Sequence, residues 1–166
     1  SKKVLSKQAS YESLHLFSSE QVQDFNIQWH KPAIATHVDR QQKNVVLDSG
    51  EILPYDKLLI ATGSRARVPV NSWQFIPNVV TLRNVQDCER LSGILDQTQK
   101  LAVIGGGWIG LEIAATARQQ GKEVHIFEYG DRLCARSVSP DVSQFLKNLH
   151  EQQGTQIHLN SQNLHL

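Results

Sequence analysis

The sequence predicts an α/β fold: a parallel sheet packed against helices, preceded by an antiparallel β-meander. Three observations predict it. An apolar run from Leu101 ends in Gly105-Gly106-Gly107-Trp108-Ile109-Gly110, then passes into Ile109, Ile113, Ala114 and Ala117 at helical spacing. A second apolar run, Val124 to Phe127, follows that helix and closes on Glu128. Upstream lie short strand-like stretches separated by turn residues, with Asp48-Ser49-Gly50 the clearest hairpin signal. Strands joined by a helix pair in parallel, whereas strands joined by a tight turn pair antiparallel.

The elements follow in order. Leu14, Leu16 and Phe17 mark some buried contact, and Ser18 or Ser19 caps a short helix to about Asp24. Ile27 to Trp29, Ala33 to Val38 and Val45 to Leu47 read as short strands, and Glu51 to Pro54 returns after the turn. Lys57 to Ala61 reads as a buried strand broken by Thr62-Gly63-Ser64. Arg65 to Pro77, with Pro69 and Pro77, is loop-like and suits a linker between domains. Asn84 caps a helix through about Gln97, with Val85, Cys88, Leu91 and Leu95 on one face. Leu101 to Gly105 suits a strand buried on both faces, as parallel sheets require. Gly121 stands where a helix C-cap belongs. Pro140 to Gln153 is a further helix with an apolar stripe of Val142, Phe145, Leu146 and Leu149, ended by Gly154. Thr155 to Leu159 is a third strand after those at about 101–105 and 124–128. A complete dinucleotide domain has two mononucleotide halves, so the sheet is expected to be incomplete.

The glycine pattern carries chemistry. Gly105 permits the turn out of the strand, Gly107 lets a pyrophosphate approach the backbone, and Gly110 lets the helix pack close to the strand. The helix then offers unpaired N–H groups and the positive end of its dipole to the phosphates. Glu128 lies 18 residues after Gly110, where a carboxylate accepts both hydroxyls of an adenosine ribose. A 2′-phosphate about 4 Å from that carboxylate is repelled by roughly 4 kcal/mol at an effective dielectric near 20. The acid therefore favours NAD(H) over NADP(H). Arg132 and Arg136 oppose this, since a basic side chain can swing towards a phosphate.

Composition narrows the partners. The 166 residues carry a formal net charge of +1 with both signs mixed, so nothing favours nucleic acid or a membrane surface as partner. No apolar run reaches membrane-spanning length, and Ser1-Lys2-Lys3-Val4-Leu5 lacks the apolar core of a signal peptide. Cys88 and Cys134 form no C-x-x-C and read as free thiols of a reducing cytoplasm. The seven histidines show no metal-ligand spacing, so no metal is expected. The absence of methionine suggests an internal piece of a longer protein.

Together these residues resemble the FAD-dependent pyridine-nucleotide reductases. Ala61-Thr62-Gly63 closing an apolar strand looks like that family's second flavin-domain signature, and Gly105–Gly110 with Leu111-Glu112 looks like its NAD-domain motif. Thr81-Leu82-Arg83-Asn84 followed by Asp87 and Leu91 is similar to a segment just before the NAD domain. Ser1-Lys2 before Lys3-Val4-Leu5, and the short distance from Ser1 to Ala61, resemble one branch most. That branch is the ferredoxin reductases of bacterial aromatic-ring dioxygenase systems. A disulfide, rubredoxin or nitrite reductase component of the same fold, and an inactive nucleotide-binding fragment, are the alternatives.

The resemblance implies a Rossmann-like FAD/NAD(P)-binding fold of three layers, with 1–66 a partial FAD-binding domain and 67–166 a partial NAD-binding domain around a core at 100–128. It implies FAD and NAD as cofactors and a [2Fe–2S] ferredoxin as partner. Lys2 beside the flavin N5, paired with Glu112 near the nicotinamide, would be the catalytic residues. Glu112 also reads as a first-turn acid that favours the helix dipole. Ala35, Thr62, Gly63 and Arg67 would line the flavin side, although Ala66 stands where the family often has proline. Ile109, Gly110, Glu128, Tyr129 and Arg136 would hold NADH with Gly105 and Gly107.

Overall fold

A computed structural model describes residues 2–11, 13, 16–162 and 164, with Lys2 and Ser19 described by their backbone alone. The chain divides into two compact units, His15–Ser64 on one side and Ser1–Leu14 with Arg65–Leu166 on the other.

Turn chemistry builds the first unit. Ser18 caps helix α2 (Ser19–Asp24), accepting from the Gln21 amide while the Gln21 side chain accepts from Ser18 N–H. Strands β1 (Ala35–Asp39), β2 (Asn44–Leu47) and β3 (Ile52–Pro54) form an antiparallel meander. At the first turn, Asp39 Oδ1 accepts from the Gln41 and Gln42 amides, and Lys43 takes a left-handed φ of 53°. At the second, Gly50 takes a φ of 85°. The register slips between Ala35 and His37, and the freed Thr36 hydroxyl donates to Val46 O.

Three expectations fail in this unit. Ile27 to Trp29 forms no strand, and Leu16 and Phe17 are exposed; Leu14 lies outside the described residues. Lys57 to Ala61 is not a strand either, and Leu59 is 87% exposed. A parallel strand exists only through neighbours, and among the described residues none pairs with this run.

The second unit is built on a parallel sheet of β4 (Lys100–Ile104), β5 (Glu123–Phe127) and β6 (Gln156–His158), in that order. Helix α4 (Trp108–Gln119) connects β4 to β5, and α5 (Pro140–Gln152) connects β5 to β6. Side chains alternate across a strand. Val103, Val124 and Ile126 join a buried cluster with Leu111, Ala114 and Ala117 of α4. Cys88, Leu91 and Leu95 of α3 (Val85–Gln97) complete it, with Val4 and Leu5 of α1 (Lys2–Leu5). Each buried Leu or Ile contributes about 1.5–3 kcal/mol. Ala114 and Ala117, both fully buried, let α4 lie close on the sheet.

The opposite face corrects the expectation of a strand buried on both sides. Ala102 and Ile104 are exposed there. His125, Phe127 and His158 stack in parallel on that face, with ring centroids 4.7–6.3 Å apart.

Helix ends follow the sequence closely. Asn84 caps α3 in a box with Asp87, which also accepts from the Arg83 amide. Ser139 caps α5 with Pro140 in the first turn. Gly121 and Gly154 take left-handed φ values of 78° and 82° just beyond α4 and α5. Two faces do not follow. Val85 is half exposed, and on α5 Val142, Phe145 and Leu149 are exposed while Ser143 and His150 are buried. Only Leu146 of the expected stripe packs on the core.

Cations gather at the C-terminal ends of these helices. Arg118 donates through Nε to Gln153 O beyond α5 and through Nη1 to Lys122 O beyond α4. Lys122 is buried, and its Nζ donates to Thr98 O at the end of α3 at 2.8 Å. Free carbonyls and the negative ends of helix dipoles favour this placement.

Candidate dinucleotide site

The site lies at the opposite end of the sheet, where β4 turns into α4. Gly105 takes a φ of 107° and donates its amide to Phe127 O at 2.8 Å, so the turn is tied to β5. Gly107 is the N-cap of α4 and has no side chain to satisfy the first amides of the helix. A Cβ placed on Gly107 meets nothing within 4 Å, which leaves open space over those amides. A Cβ on Gly110 would stand 2.2 Å from Gly105 O, so the helix rests directly on the turn. The three glycines thus differ in kind: a backbone angle, an open approach and a close contact.

The middle glycine, Gly106, adds a feature that the motif does not specify. Its amide donates to Glu128 Oε2 at 2.6 Å, and its carbonyl accepts from the Cys134 amide at 2.9 Å. A Cβ there would lie 2.5 Å from Leu133 Cδ2. Glu128 Oε1 accepts from the Gly130 amide at 2.7 Å, and the Glu128 backbone is bonded to His158 O and Ser161 N. The carboxylate therefore faces the turn, held by two backbone amides. An ionised carboxylate has about four acceptor directions, so roughly two remain for a ligand.

Arg132 is committed to its own turn. Its guanidinium donates to Val138 O, Ser143 Oγ and Ala135 O at 2.8–2.9 Å. Arg136 and Tyr129 are exposed. The Cys134 thiol is buried, and burial first, then the Glu128 charge, raises its pKa above the ordinary thiol value.

The remaining residues sit as follows. Ile109 is exposed at the start of α4. Glu112 is exposed and is the fifth residue of α4, so the first turn holds no acid, contrary to expectation. Thr62, Gly63 and Ala35 are exposed within the meander unit, and Arg67 is exposed in the other unit. The Lys2 side chain lies outside the described residues. Sequence reasoning missed Gly106, Gly130, Leu133 and Cys134. A third consecutive glycine was a visible signal for Gly106, whereas the others act through backbone amides or packing that no motif encodes.

A strand-turn-helix whose first amides lack a side-chain cap, with open space at Gly107 and an acid at the next strand end, is the arrangement of a dinucleotide-binding fold. The chain belongs to the pyridine nucleotide-disulphide oxidoreductase family, which matches residues 1–164. It is 36% identical over 165 residues to putidaredoxin reductase CamA of Pseudomonas putida, covering 98% of this chain and 39% of that one. It is 41% identical over 119 residues to the ferredoxin–NAD(+) reductase component of the p-cumate 2,3-dioxygenase system of Pseudomonas putida, covering 72% and 30% of the two chains. Among solved structures, the putidaredoxin reductase–putidaredoxin complex superposes with a TM-score of 0.86 at 34% identity, covering 96% of this chain and 39% of that one. The chain therefore spans about two fifths or less of the relatives it matches.

Proposed function

We propose that this chain is the nucleotide-handling part of an NADH-dependent, FAD-containing reductase that passes electrons to a [2Fe–2S] ferredoxin of a ring-hydroxylating dioxygenase system. The observation that carries the reading is the 2.6 Å bond from the Gly106 amide to Glu128 beside the open space at Gly107. The names of the relatives support the ferredoxin partner. Residues 1–66 and 67–166 are the flavin and NAD parts in this reading.

The residues present fit NADH. Amides at the start of α4 bind the pyrophosphate, which Gly107 admits. The free lone pairs of Glu128 orient the adenosine ribose, and its charge disfavours a 2′-phosphate. Tyr129 and Arg136 follow Glu128 in the chain and are exposed, free to close on the adenosine end, and Ile109 offers an apolar contact. Glu112 and Lys2 act near the nicotinamide, where their charges orient the reacting ring. Ala35, Thr62, Gly63 and Arg67 contribute to the flavin side. FAD, when bound, accepts a hydride and releases electrons one at a time. No helix among the described residues is long and apolar enough to cross a membrane. With two buried free thiols, this supports a cytoplasmic setting.

Titration of the protein with NADH, followed by nicotinamide fluorescence, tests the reading. Saturable binding that Gly107→Val abolishes is expected, together with a flavin absorbance band and NADH-driven ferredoxin reduction. Absence of NADH binding would overturn it. Binding of NADH with transfer to a disulfide or rubredoxin instead would reassign the acceptor.

A further inference from the structure

We infer that Arg132 is a positioning residue for the dinucleotide site, acting through its own turn on Gly106 rather than through charge on a phosphate. The inference rests on the nucleotide reading above and deepens it.

A chain of bonds runs from Arg132 to Gly106. The Arg132 guanidinium donates to Val138 O and Ser143 Oγ, each at 2.9 Å, and to Ala135 O at 2.8 Å. Ser143 is buried at the start of α5, and its hydroxyl donates onward to Leu133 O. Arg132 and Ser143 thus close residues 132–138 into a rigid turn anchored on α5. That turn carries Leu133, only 1% exposed, over the Gly106 Cα, and Cys134, whose amide holds Gly106 O at 2.9 Å. Cys134 takes a left-handed φ of 50°, a conformation costly for a non-glycine residue and sustained only by its surroundings. Gly106 is consequently held from both sides, by Glu128 at its amide and Cys134 at its carbonyl. These bonds fix the two peptides that flank Gly106, and the second of them carries the Gly107 amide.

The same bonds withhold Arg132 from any 2′-phosphate. Three of its donor directions are spent on Ala135 O and Val138 O of the turn and on Ser143 of α5. A swing towards ligand would leave Ala135 O, Val138 O and the buried Ser143 Oγ without that donor.

Two substitutions separate the roles. Arg132→Met removes both the charge and the bonds. Ser143→Ala breaks the relay and leaves the charge. Backbone amide exchange by NMR reads the Cys134–Gly106 bond, and fluorescence titration reads NADH affinity. Both variants are expected to expose the Cys134 amide to exchange and to weaken NADH binding in the same direction. A change of about three- to tenfold, the worth of one good hydrogen bond, is expected. A Ser143→Ala protein with unchanged Cys134 protection and unchanged NADH affinity would overturn the inference, whether or not Arg132→Met folds. If the unmodified protein bound no NADH, the nucleotide reading would fall, while the exchange of the Cys134 amide would still decide the relay.

Discussion

Glu128 and Gly106 are 22 positions apart in the chain, and the carboxylate of one lies 2.6 Å from the amide of the other. This bond ties the end of β5 to the turn after β4 and leaves the acid facing the mouth of α4. A second amide, from Gly130, fixes the other oxygen. The acid proposed to select the nucleotide is thus also part of the scaffold that shapes the turn. Replacing it has two consequences that can be measured apart.

Glu128→Gln is the sharper substitution. The amide keeps one acceptor but turns an NH2 group towards one of two backbone donors. A loss of about 2 kcal/mol in denaturant unfolding is expected, in the range for hydrogen bonds to charged groups. Discrimination between NADH and NADPH in the same variant should narrow, because the repelling charge has gone. A variant as stable as the parent would show that the two amides find other partners.

The glycines predict a contrast. Gly110→Ala forces a Cβ to 2.2 Å from Gly105 O in the turn and 3.1 Å from Val103 Cγ1 in β4. Overpacking of this kind costs about 1–3 kcal/mol, and a backbone contact cannot relax by a rotamer change. Thermal unfolding of Gly110→Ala should fall by several degrees. Gly107→Ala meets nothing and has an ordinary φ of −83°, so it should melt like the parent. Its defect should appear only when NADH is added.

This contrast shows what the sequence revealed. Local devices were legible: the cap at Asn84, Pro140 in the first turn of α5, the terminating Gly121 and Gly154, and the strand-turn-helix with its acid. The cap and terminators depend on residues a few positions apart, and the acid stands at a fixed spacing after the helix. The stretch 57–61 was misread because a parallel strand is made by its neighbours, and Leu59 stays exposed without them. The stripe on α5 was misread because hydrophobicity ranked Phe145 above Ser143. The structure buries Ser143 to hold Leu133 O and Arg132, a demand set by a turn elsewhere in the chain. The clamp on Gly106 was invisible for the same reason.

Arg118 links two helix ends, and its removal should be felt at both. Arg118→Met strands Gln153 O and Lys122 O, which the guanidinium holds. A cost of about 1 kcal/mol is expected from denaturant unfolding, since water can replace the donor at the exposed Gln153 O. The adjacent cavity, of about 360 Å³, is lined by Arg118, His150 and Thr155. Thr155 Oγ1 is buried there without a hydrogen-bond partner among the described residues. Thr155→Val removes that unsatisfied hydroxyl, so it should be neutral or slightly stabilising, opposite in sign to Arg118→Met.

His150 gives the protein an acid-side dependence. Burial alone lowers its pKa below the usual histidine value, so the folded state resists protonation. The unfolded chain binds this proton at a pKa of about 6.5. Between that value and the lower folded one, the unfolded state holds more protons, so unfolding free energy rises with pH. Stability is therefore expected to be intact above about pH 7.5 and to fall on acidification through 6.5. Glu123, whose pKa is lowered by its bonds to His125 and then Lys100, acts in a separate window below its ordinary value of 4.5. Thermal unfolding measured from pH 8 to pH 5 reads the first window without the second. His150→Gln should flatten the curve in that interval and leave the acid limb below it unchanged. An equally steep curve in His150→Gln would assign the dependence to another group.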